Sequence, residues 1–144
     1  MVLLDPKVWG PHYWFFLHTI VISYPMRPNA VTKKKYYEFI QNMPLFIPNE
    51  QIATNFERLL DKYPVTPYLD TRDSFIRWMH HMHNKINEQL EKPKITLAKF
   101  YEEYYDQYKP TEVKFKEYYK MRARLIYLAI IVIFAAAIAY MYHM

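Results

Sequence analysis

Six histidines are the residues of this chain whose type best suits chemistry: His12, His18, His80, His81, His83 and His143. An imidazole can ligate a metal or carry a proton near neutral pH. None of the six falls into the HExxH spacing of a zinc protease. A metal site built on His80 and His83 would need further ligands, so a hydrogen-bonded core or surface role is the ordinary reading for both, and no metal is expected. The chain has no cysteine. That excludes an internal disulfide, a thiolate metal site and a thiol nucleophile within it. No Ser/His/Asp arrangement or phosphate loop points to another catalytic chemistry. The net charge of +5 is modest. It is partly concentrated before the C-terminal end and forms no basic stripe within a nucleic-acid module, so nucleic acid is not expected as a partner.

These side chains must be positioned by helices. The 144 residues include a single glycine, Gly10, and ten prolines. Tight hairpins need residues at positive φ, so one glycine disfavours a β fold and proline-punctuated helices are expected. Residues 11–24 are apolar and aromatic, with Pro11 suited to a first helical turn and Pro25 and Pro28 ending the helix. Asn29 can cap a second helix to about Met43, with Tyr36, Phe39, Ile40 and Met43 on one face. Pro44 and Pro48 bracket the apolar turn Leu45-Phe46-Ile47. Asn49 can cap a third helix carrying Ile52, Phe56, Leu59 and Leu60. Asp70 or Thr71 starts a fourth, whose stripe is Phe75, Trp78, Met79, Met82, Ile86 and Leu90. Thr96 can cap a fifth, short helix to about Tyr108. Thr111 opens the last one. Tyr101, Tyr104, Tyr105 and Tyr108 are expected to form a tyrosine-rich surface suited to protein contacts.

Residues 125–144 contain no charged side chain and no helix breaker. Such a segment is roughly 30 Å long as a helix, the thickness of a bilayer's hydrocarbon core. Tyr127, Tyr140 and Tyr142 lie near its ends, and Lys114, Lys116, Lys120, Arg122 and Arg124 precede it. A single-pass anchor spanning about 125–142 is expected, with the N-terminal domain on the cytoplasmic side. No signal peptide is apparent at the N-terminus, where Asp5 and Pro6 follow Met1–Leu4 at once. The domains expected are a helical bundle over 1–110 and a juxtamembrane helix with its anchor over 111–144.

Three motifs give these elements a family likeness: Trp9-Gly10-x-x-x-Trp14-x-x-Leu17-His18 followed by Tyr24-Pro25; Phe46-Ile47-Pro48-x-Glu50 followed by Phe56; and Trp78 followed by His83-Asn84-x-Ile86-Asn87-x-x-Leu90-x-Lys92-Pro93. In this order and spacing the chain resembles the Erv/ALR family of FAD-linked sulfhydryl oxidases over roughly residues 8–106, and looks most like members encoded by large DNA viruses. The resemblance implies an all-α fold, a four-helix bundle with a short fifth helix, followed here by one transmembrane helix. It implies FAD at the mouth of the bundle, with Trp9, Gly10, Trp14, His18, His83, Asn84, Asn87, Lys92 and Tyr104 at the cofactor positions. His83 and Asn87 are four apart and would share a helix face. In the family a Cys-x-x-Cys pair at the start of the third helix passes electrons to the flavin. The family's pair falls here on Asn49 and Ile52, and the positions of its second disulfide on His80 and Leu97. Pro11 stands where an Arg often follows the motif glycine. The likeness therefore implies a redox-inactive relative serving as a structural protein, such as a minor capsid component linking a virion's internal membrane to its capsid proteins. The alternative is an FAD-binding oxidase that uses a partner's cysteines. Dimerisation through the first helices is a further implication.

Overall fold

The computed structural model describes residues 4–142; residues 1–3 and 143–144, His143 among them, lie outside the described residues. Helix α1 (Pro6–Ile22) begins where Asp5 Oδ1 accepts the Lys7 N–H at 2.8 Å. Pro6 fills the first helical position, where its missing N–H is no loss. The start expected at Pro11 is thus corrected. Asp5-Pro6 already supplies a complete start signal, and Pro11 lies inside the helix. There it deprives only the exposed Lys7 carbonyl of a helical partner.

The remaining boundaries follow their caps. Asn29 accepts from Thr32 N–H at 2.8 Å to start α2 (Ala30–Asn42), and a single 3₁₀ turn, Met43–Phe46, follows. Asn49 starts α3 (Glu50–Lys62), Thr71 starts α4 (Arg72–Gln89) and Thr96 starts α5 (Leu97–Asp106). Helix α6 is Thr111–Tyr142. At the end of α4, Glu91 takes a left-handed φ of 54°, with Lys92 N–H bonded to the Asn87 carbonyl and Glu91 N–H to the Glu88 carbonyl. This paired 6→1 and 5→2 pattern closes the helix. It also carries Leu90 out of the expected apolar stripe, leaving it 47% exposed.

The chain divides after Tyr104 into two compact units. In the first, α1 and α4 are the central pair. They run antiparallel, since Tyr24 meets Phe75 at one end (centroids 5.0 Å apart) and Trp14 meets His83 at the other. Val21, Tyr24, Ile40, Phe75, Met79, Met82 and Phe100 are fully buried around them, each large apolar side chain contributing about 1.5–3 kcal/mol. The polar groups of its two largest buried aromatic side chains have partners: the Tyr24 hydroxyl donates to the Leu69 carbonyl and the Trp78 indole to the Tyr63 carbonyl. Tyr104 is buried and Tyr101 half-buried, so the expected tyrosine surface is corrected to Tyr105 and Tyr108. Tyr104 turns inward because it lies one turn from Phe100 on the packed face of α5.

In the second unit every described side chain from 125 to 142 is exposed. Helix α6 is long and apolar enough to cross a membrane. A water-soluble surface would not present so long an apolar face on all sides.

Candidate functional site

Gly10, Trp14 and His18 stand four apart along α1 and form one row; His83 and Asn87 form a row on α4. Trp14 lies flat on the His83 ring, with centroids 3.9 Å apart and planes 14° from parallel. His83 Nδ1 is 3.2 Å from His18 Nε2, so one ring must donate to the other. Phe100 covers His18 at 4.2 Å, and Phe15 stacks on Tyr104 at 5.4 Å. Burial pushes the His18 pKa down to about 4, with the nearby His80 adding to the effect. Burial, then the charges of His18, His80 and Lys92, push His83 down to about 3. Both rings are neutral at physiological pH, because a charged imidazole would lose its hydration here without an anion to replace it.

Asn84 is used differently. Its Oδ1 accepts the Ile95 N–H at 2.8 Å and its Nδ2 donates to the Ile95 carbonyl at 2.9 Å. His80 Nε2 lies 2.8 Å from the same carbonyl and 3.1 Å from Asn84 Nδ2, so in one tautomer it donates to the carbonyl and in the other it accepts from the amide. Together they clasp the segment leading to α5 against α4, and α5 brings Phe100 onto His18. Asn84→Ala should cost about 1–3 kcal/mol, since it strands the backbone groups of Ile95. Urea unfolding checks this, and an unchanged midpoint would remove the clasp.

Three residues at one end of the α1–α4 pair have no such internal task. Because the helices are antiparallel, the turn beyond Trp14 and the turn beyond His83 lie together, and they carry Gly10 and Asn87. A Cβ placed on Gly10 would meet nothing within 4 Å. Asn87 is only 7% exposed, and its side-chain amide bonds to no other described residue. No fully buried side-chain polar atom among the described residues lacks a partner, so the amide lies at the residue's solvent-facing edge. Lys92, just past α4, is exposed and makes no ion pair among them. Trp9 borders this corner on α1, half-buried, its indole N–H donating to the Leu4 carbonyl at 3.1 Å. Separately, Asn49 Oδ1 accepts the Ile52 N–H at 3.0 Å, so these two half-buried positions form the cap of α3.

The sequence model of the Erv1 / Alr family matches residues 11–106. The chain belongs to this family. It is 30% identical over 94 residues to the "probable FAD-linked sulfhydryl oxidase" of Acanthamoeba polyphaga mimivirus, covering 65% of this chain and 66% of that protein. With the mitochondrial FAD-linked sulfhydryl oxidase ERV1 of Saccharomyces cerevisiae it shares 31% identity over 90 residues, covering 62% of this chain and 47% of that one. The chain thus spans about half to two thirds of the length of these relatives. The crystal structure of the FAD-binding domain of Erv1 from S. cerevisiae matches with a TM-score of 0.65 and 28% identity, covering 72% of this chain and 97% of that one.

The open corner of this Erv1 / Alr member fits a large polar cofactor in kind. Gly10 leaves room, the Asn87 amide offers donors and an acceptor at its solvent-facing edge, and Lys92 offers a cation to a phosphate. Trp14, His18 and His83 stand behind the corner, bonded or stacked among themselves, while Tyr104 stacks on Phe15. Sequence reasoning did not single out Phe15, Phe100 or the Ile95 clasp. The spacing of Phe100 and Tyr104, four apart on a short helix, was the available signal for Phe100.

Proposed function

We propose that this chain is a membrane-tethered, cysteine-free member of the Erv1 / Alr family that acts as a scaffold and does not itself oxidise thiols. One observation carries the reading: the positions at which the family resemblance puts the redox dithiol are Asn49 and Ile52, and the Asn49 side chain is spent on capping α3. An amide and an alkyl group cannot take part in thiol–disulfide exchange, whose nucleophile is a thiolate. The tail over about 125–142 serves as the anchor, with the bundle on the cytoplasmic side. Partner binding is supported by the apolar turn just before Asn49. Leu45 and Phe46 are 79% and 63% exposed there, and the Tyr13 hydroxyl pins the turn by donating to the Phe46 carbonyl at 2.7 Å. Its occupant is a capsid protein or a second copy of the chain. The mimivirus relative supports a viral setting, within which the virion location is part of the proposal. The test is oxygen consumption and thiol loss with the full chain in detergent and a reduced dithiol. Rates at the buffer level are expected, and sustained turnover would sink the scaffold reading.

The open corner favours a second reading, a bound FAD that serves cysteines supplied by a partner. Gly10 lies inside α1, where glycine costs about 1 kcal/mol relative to alanine. Nothing inside the fold requires it there. Gly10→Ala should therefore raise the unfolding free energy by up to about 1 kcal/mol. If FAD occupies the corner, the same variant should lose the flavin absorption bands. A colourless wild-type protein removes this reading and leaves the scaffold.

A further inference from the structure

Before its apolar span, α6 carries five cations: Lys114, Lys116, Lys120, Arg122 and Arg124. Lys116, Lys120 and Arg124 stand at four-residue intervals, so they form one row, roughly 6 Å apart along the axis. Like charges at this spacing repel, and an intramolecular remedy would be a carboxylate beside the row. Residues 111–124 contain only Glu112 and Glu117 as acids. Glu117 is bonded to Lys109 at 3.1 Å, and Lys109 also holds Asp106 at 3.1 Å. None of Lys114, Lys116, Lys120 and Arg124 makes an ion pair among the described residues. Arg122 lies over the Tyr118 ring, 5.7 Å from its centroid.

We propose that this row binds the headgroups of anionic glycerophospholipids in the leaflet that the helix enters. The proposal rests on the anchor reading above. With Leu125 at the hydrocarbon edge, Arg124, Arg122 and Lys120 fall within a headgroup layer roughly 5–8 Å deep. Lys116 lies about 6 Å further out, within one Debye length of the charged surface. Tyr118 and Tyr119 are exposed at this depth, where amphipathic rings suit the interface. A zwitterionic headgroup offers each cation a phosphate together with a repelling choline. An anionic headgroup adds net negative charge, so the row distinguishes the two lipids.

The test uses the full chain in phosphatidylcholine vesicles doped with spin-labelled phosphatidylserine or spin-labelled phosphatidylcholine. The fraction of each label slowed by contact with the protein is read by electron spin resonance. Phosphatidylserine should be favoured about threefold or more at low salt and approach parity in molar salt. The K116Q/K120Q/R124Q variant should lose most of the preference. Equal association of both labels with the wild type, or a preference that survives in the variant, overturns the proposal. If neither label is slowed at all, the helix does not enter the bilayer, and the anchor reading falls together with this one.

Discussion

Acidifying the protein from about pH 6.5 to about pH 4 should remove about 3 kcal/mol of stability through His18 alone. The folded state holds this imidazole at a pKa of about 4, against 6.5 in the unfolded chain. Between those values the unfolded state binds the proton and the folded state does not. Stability therefore falls as the pH falls through this window, and the loss through His18 levels off below about pH 4. His83, held at about 3, acts in the same direction and extends the loss to lower pH. The two rings share one hydrogen bond, so the protons enter as a coupled pair. Urea midpoints of the full chain across this range check the prediction. His18→Gln keeps a polar side chain but removes one titration, so its slope should be shallower by about 1.4 kcal/mol per pH unit. A stability that is flat with pH, or an identical slope in the variant, would show that the pair is not buried as described.

Much of the fold was legible because helix ends are written locally. Asn29, Asn49, Thr71 and Thr96 each cap the helix that their type and place announce. The start of α1 was ambiguous because Pro6 and Pro11 both make acceptable first-turn residues, and only Asp5 decides between them. Leu90 obeys the period of α4, but the helix stops at Gln89 and the left-handed Glu91 swings the chain away. Periodicity cannot report where a helix stops contributing to a core.

The site was legible one helix at a time. Four-residue spacing puts Trp14 beside His18, and His83 beside Asn87. What joins the two rows is tertiary: the His18–His83 contact links residues 65 apart in the chain. The task of Asn84 was hidden for a similar reason. Its partner is a backbone group eleven residues on, reached only because the loop after α4 folds back. By contrast, the missing cysteines were plain in the composition, and the structure adds what stands in their place. Of the positions where the family resemblance puts cysteines, Asn49 and Ile52 form the cap of α3, and His80 sits in the clasp on Ile95.

Truncating Phe100 to alanine should cost about 3–5 kcal/mol at neutral pH, because its ring is wholly buried and the cavity would collapse only in part. The ring packs against His18 at 4.2 Å, His80 at 5.9 Å and Tyr101 at 5.4 Å. The space it vacates would thus be lined partly by imidazoles, and a polar-lined void of that size admits water. Water beside His18 relieves the desolvation that depresses its pKa, so the folded value should rise back toward 6.5. The variant should then be less stable at neutral pH and also less sensitive to acid, with a flatter slope between about pH 6.5 and about pH 4. Phe100→Leu retains most of the volume, so it should cost about 1–1.5 kcal/mol and keep the wild-type slope. A ring that only filled space would lower stability in both variants and leave the slope unchanged. A slope that flattens in the alanine variant alone would identify Phe100 as the group that keeps water from the histidine pair and thereby holds it neutral.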